Sequence, residues 1–129
     1  MNSSNLFLLD SNIAMYLLNG DTKAFDLLND AATALSFVSE IELLGWPNIT
    51  ENEKRVIEKF IASCYYFDYS QAIKKRAIEL RIKYKLKLGD SFIIATATEY
   101  DLILVSADKQ FSKVKELQYL NYTPAITNQ

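Results

Sequence analysis

The chain has 129 residues, half of them apolar, a formal charge of −2, one cysteine and no histidine. That length lies in the usual domain range of about 100–150 residues, so residues 1–129 are expected to form one domain with a real core. Without histidine, Ser-His-Asp and Cys-His catalysis are excluded, and zinc is disfavoured because its sites are built from thiolate and imidazole.

A bound metal would therefore sit among oxygens, which select magnesium, manganese or calcium. The lone Cys64 permits no internal disulfide and reads as a buried structural thiol in a reducing compartment. No run approaches the roughly 18 apolar residues of a membrane span, and Met1 to Asn5 lack the pattern of an export signal. The expectation is a cytoplasmic protein.

Leu6-Phe7-Leu8-Leu9 is a short apolar run closed by Asp10, the form of a strand buried on both faces. Ile13 to Leu18 suit a short helix stopped at Asn19-Gly20, and Asp21 offers an N-cap for a second helix through Leu28. Ala34 to Val38 reads as a strand, with Ser39 and Glu42 as a capping box opening a helix that Gly45-Trp46-Pro47 ends. Thr50 and Glu53 form a second capping box before Val56, Ile57, Phe60 and Ile61, and Tyr65-Tyr66-Phe67 can be a strand.

From Ser70 to Lys85, the spacing of Ile73, Ala77, Leu80 and Tyr84 marks an amphipathic helix. Seven of the 14 basic residues lie between Lys74 and Lys87, read first as a solvated helix face and second as a phosphate-binding strip. Gly89 interrupts, and Asp90 is expected to begin a helix with almost no polar face. Leu102 to Val105 is a further buried strand, and Leu117 to Tyr119 the last. Alternating strands and helices predict an α/β fold, a three-layer α/β/α sandwich with a parallel sheet of four to five strands.

Ligands of such sheets bind beyond the carboxyl ends of the strands. Asp10 directly follows the first strand, Glu42 and Asp108 closely follow two others, and Asp90 stands at a helix start. Each acid alone has an ordinary reading as a cap or turn residue. Gathered at one edge they would repel, and a divalent cation is the usual means of keeping them ionised.

The chain resembles the PIN domains, specifically the VapC-type toxin nucleases. The resemblance rests on Leu8-Leu9-Asp10-Ser11-Asn12, on Ser36 to Gly45, on Leu88-Gly89-Asp90-Ser91 through Ala97, and on Leu104 to Phe111. Carried over by position, it implies catalytic and metal-holding roles for Asp10, Glu42, Asp90 and Asp108, with Asn12 and Ser106 as polar accessories. It further implies Mg2+ or Mn2+ as cofactor, RNA as substrate, a homodimer and a cognate antitoxin that blocks the acidic cleft. Met15, Tyr16, Leu18 and Trp46 are candidate antitoxin contacts, although core packing explains them as well.

Rival readings are a non-catalytic PIN-like module and a receiver-like signalling module. A receiver needs an acidic pair near its first strand, whereas Ser11 and Asn12 follow Asp10. A haloacid dehalogenase-type phosphatase would want an aspartate where Asn12 stands.

Overall fold

A computed structural model describes residues 5–124. The elements run β1 (Leu6–Leu9), α1 (Ser11–Leu18), α2 (Thr22–Leu28), β2 (Ala32–Ser36), α3 (Phe37–Leu44), α4 (Glu51–Ala62) and β3 (Tyr65–Phe67). They continue with α5 (Gln71–Tyr84), α6 (Leu88–Glu99), β4 (Ile103–Ser106), a 3-10 turn (Lys109–Lys113) and β5 (Gln118–Asn121).

All strand pairs are parallel, in the order β3-β2-β1-β4-β5. The chain starts at the centre with β1, builds outward through β2 and β3, then crosses back to place β4 on the other side of β1. The order therefore reverses between β1 and β4, and a crevice opens at the carboxyl ends of those two strands.

Period-two alternation sends neighbouring strand residues to opposite faces. Leu8, Ala34 and Leu104 pack with Ile73, Ala77, Leu80 and Ile94 of α5 and α6. Leu9, Leu35 and Val105 pack with Ile13, Ala14, Leu28, Leu43 and Ile57 on the other face. Two helical layers thus cover the sheet. Leu8, Leu9, Leu35 and Leu104 have 0% exposure, and burying each contributes about 1.5–3 kcal/mol.

Two element starts differ from expectation. The second strand ends at Ser36, and its hydroxyl caps α3 by accepting from the Ser39 N–H at 3.3 Å. Phe37 and Val38 favour strands by type, but starting the helix there puts Ser39 and Leu43 on one buried face. Glu42 consequently lies within α3 instead of closing a capping box with Ser39. Likewise α6 begins at Leu88, after Lys87, so Gly89 lies inside its first turn and Asp90 is its third residue. No steric need fixes glycine there, since an added Cβ at Gly89 would meet only Val38 Cγ1, at 4.0 Å.

The capping box of Thr50 and Glu53 is present, and Ile73, Ala77 and Leu80 are buried as their spacing predicts. The fourth and fifth strands are each shifted toward the C-terminus of the expected segments. Cys64 is only partly buried, with its sulfur 3.5 Å from Thr33 Oγ1, because it follows α4 at the edge of the core.

Candidate active site

At the end of β1 the chain keeps one more sheet contact, the Asp10 N–H donating to the Val105 carbonyl at 3.0 Å. Asp10 then caps α1. Its Oδ1 accepts from the Ser11 N–H at 2.9 Å, and its Oδ2 accepts from Ser106 Oγ at 2.7 Å. Ser106 is fully buried at the end of β4, and its Oγ also accepts from the Asp108 N–H at 3.0 Å. One hydroxyl therefore joins the first acid to the segment carrying the last.

Asp108 caps the 3-10 turn, its Oδ1 accepting from the Gln110 N–H at 3.0 Å. Glu42 is exposed on α3, where its Oε1 accepts from Ser11 Oγ. Ser11 Oγ also lies 3.3 Å from Ser39 Oγ, and the Ser39 hydroxyl donates to the Leu9 carbonyl at 3.4 Å. The fully buried Ser39 thus ties the base of α3 to the end of β1.

Asp10, Glu42, Asp90 and Asp108 line one hollow of about 460 Å³, with Asn12 at its wall. Ser106 stands behind the wall, reaching the hollow through Asp10. From the acidic end the hollow continues between α1, α3 and α4 as an apolar groove bordered by Met15, Leu18, Leu43, Trp46, Ile49 and Val56. Trp46 is 66% exposed, so the core reading of that residue is corrected. Tyr16 packs instead beside Tyr122, their ring centroids 6.0 Å apart.

Electrostatics match this convergence. Burial pushes the Asp10 carboxyl above its ordinary value against the lowering pull of its bonds from Ser106 and Ser11, and the charges of Glu42 and Asp108 push it further. Asp90 is also raised, first by burial and then by Asp10 and Asp108, with Lys87 opposing and Glu42 adding to the rise. Like charges without a counter-ion favour the protonated forms.

Among the described residues no three His, Cys, Asp or Glu side chains stand as a ready-made metal-ligand set. The donor chemistry nevertheless fits a hard divalent cation, since the hollow offers several carboxylates and neither histidine nor cysteine. A divalent cation would offset the repulsion among these carboxylates, as protonation also would.

Ser11, Ser39 and Tyr119 also support the site, though the sequence alone does not mark them for it. Small hydroxyl residues just beyond apolar strands were the available signal for the two serines. Nothing local marks Tyr119.

The family model of the PIN domain matches residues 7–117, and the chain belongs to that family. A chain from a toxin-antitoxin complex of Klebsiella pneumoniae is 29% identical with a TM-score of 0.74, the match covering 88% of this chain and 95% of that one. A chain of VapBC2 from Rickettsia felis, in a structure bound to a DNA fragment from their promoter, is 20% identical with a TM-score of 0.81, covering 92% and 99%. A chain of DNA-bound VapBC from Salmonella typhimurium is 18% identical with a TM-score of 0.78, covering 91% and 98%. The last two similarities are of fold. No curated protein matches the sequence.

Proposed function

We propose that this chain is the toxin of a toxin–antitoxin pair, a Mg2+- or Mn2+-dependent endoribonuclease acting in the cytoplasm. The observation that carries the reading is the convergence of Asp10, Glu42, Asp90 and Asp108 on one hollow at the switch point of a parallel sheet. Membership of the PIN family and the toxin-antitoxin complex among its structural relatives support it.

In this reading Asp10 and Asp90 would hold the ion, with Glu42 and Asp108 in the same hollow to assist. When bound, Mg2+ or Mn2+ would supply positive charge to acidify a water and offset negative charge on the scissile phosphate. Asp10 is oriented in advance by its bonds from Ser11 and Ser106, which leaves little freedom to lose at the reaction. Glu42 engages Ser11 through Oε1, leaving Oε2 to accept a proton from the attacking water. Asn12, exposed at the wall, offers its amide to a phosphate oxygen. Water attacks phosphorus directly as Glu42 takes its proton, the P–O3′ bond breaks, and the 3′ oxygen gains a proton from solvent, leaving a 5′-phosphate and a 3′-hydroxyl with no covalent intermediate.

The apolar continuation of the hollow suits an antitoxin segment that covers the acids as it binds. Trp46→Ala should weaken capture of a cognate antitoxin at least tenfold, without changing RNA cleavage by the free toxin. Ile78 and Ile82, exposed on α5, form a separate apolar strip for the homodimer. The deciding experiment is cleavage of RNA in Mg2+ or Mn2+ by the parent, Asp10→Asn and Asp90→Asn. Cleavage by the parent alone is expected. Equal cleavage by all three overturns the site assignment, and a parent inactive in either metal leaves the rival of a non-catalytic PIN-like binding module.

A further inference from the structure

We infer that Tyr119 and Asn121 are positioning residues for Asp108, a conclusion that rests on the nuclease reading where it concerns catalysis. Tyr119 is in β5, beside β4, and its hydroxyl donates to the Asp108 carbonyl at 2.6 Å. A phenol has one proton to give, so the Ser106 carbonyl at 3.3 Å is a weaker claim on it. That carbonyl is satisfied by the Tyr122 N–H at 2.8 Å, with the Asn121 amide 3.4 Å away. The Asn121 Nδ2 in turn donates to the Tyr119 oxygen at 2.8 Å, which fixes the direction of the phenolic proton toward Asp108.

The ring is held as well. Tyr119 meets Phe111 of the 3-10 turn edge to face, with centroids 6.2 Å apart, and Phe111 is buried. The segment bearing Asp108 is therefore gripped at its carbonyl by Tyr119, at its N–H by Ser106 and at its following turn by Phe111. Asp108 itself is exposed and opens a turn, where an unsupported carboxylate would wander. The clamp converts a loop acid into one with a fixed base, and β5 acquires a role in the site.

Tyr119→Phe keeps the ring and removes only the hydroxyl. Amide hydrogen exchange should become about tenfold faster or more at Asp108 and Gln110, while amides of β1 and α6 keep parental rates. Unchanged exchange at Asp108 and Gln110 overturns the clamp, whether or not the parent cuts RNA. In an active parent, the same substitution should lower kcat on RNA and Mn2+ affinity by about 10- to 100-fold with little change in KM, as loss of an outer-shell partner does. Adding Tyr119→Phe to Asp108→Asn should cost nothing more, and full additivity of the two overturns the proposed route through Asp108. Asn121→Asp, which keeps the shape but loses the amide donor, should reproduce part of the exchange effect; parental exchange removes Asn121 from the clamp.

Discussion

Ser106 donates its hydroxyl proton to Asp10 across 96 positions of sequence, at 2.7 Å, and the same oxygen accepts the Asp108 N–H. Ser106→Ala breaks both contacts at once. A hydrogen bond to a charged group contributes about 1.5–3 kcal/mol, so urea unfolding should show a loss of that order, reduced by whatever water enters. RNA cleavage should fall by about 10- to 100-fold, and Ser106→Thr should recover most of it because the hydroxyl is kept. A parental cleavage rate in Ser106→Ala would show that Asp10 needs no such support.

Much of this arrangement was legible in the sequence because apolar runs ending in acids reflect a buried parallel sheet with its site at the strand ends. Asp10 was readable in that way, and so was the alternation that splits Leu8 from Leu9 between the two cores; Asp90 was readable only as an acid near a helix start, which α6 places at its third residue. The start of α3 was not, since Phe37 and Val38 carry strand propensity while the capping information sits in Ser36, one residue earlier. Partners chosen by sheet order were also hidden. That Tyr119 reaches Asp108 depends on β5 lying beside β4, and no local pattern near residue 119 encodes that neighbour.

Asp10 supplies a test of repulsion. Its folded-state value is raised above the ordinary 3.8, first by burial, so its ionised form opposes folding at neutral pH. The sign follows: the folded state binds the proton more tightly, and this destabilisation fades as pH falls through the raised value toward 3.8. Asp10→Asn keeps an acceptor for the Ser11 N–H and removes the charge. In chelator at pH 7 it should melt no lower than the parent, and the difference should shrink on acidification. Added Mn2+ should raise the parent's melting temperature more than the variant's, by mass action on the folded state. Equal stabilisation of both would place the ion elsewhere.

Glu116 behaves in the opposite sense. The Tyr84 hydroxyl at 2.6 Å and the Lys83 ammonium at 2.9 Å hold its carboxyl down to about 2, from an ordinary 4.5. A depressed acid stabilises the fold above its unfolded value, and that contribution is lost as pH falls from 4.5 to about 2. Glu116→Gln should therefore lower stability at pH 7 and flatten the acid limb of the urea midpoint against pH. Because the pair is solvent-accessible, salt should diminish the effect. Parallel acid limbs for parent and variant would remove Glu116 from the acid response.

Lys87 breaks a local rule beside the acids. It is the N-cap of α6 and makes no side-chain capping bond there, a position where Ser, Thr, Asp or Asn would be preferred and where a cation opposes the helix dipole. Its charge acts on Asp90, three positions along the first turn, and it belongs to neither ion pair found among the described residues. Arg76 and Lys83, by contrast, are paired with Glu99 and Glu116, which leaves the basic segment less able to serve as a continuous phosphate strip. Lys87→Ser supplies the missing cap and should raise stability by about 0.5–1 kcal/mol. The same change should weaken RNA binding, measured in chelator so that the RNA stays intact, and reduce the slope of log K against log salt by about 0.7, the loss of one phosphate contact on a single strand. Stability and binding then move in opposite directions, which loss of folding cannot imitate. Parental binding and salt slope in Lys87→Ser would mean that this lysine only moderates the charge on Asp90.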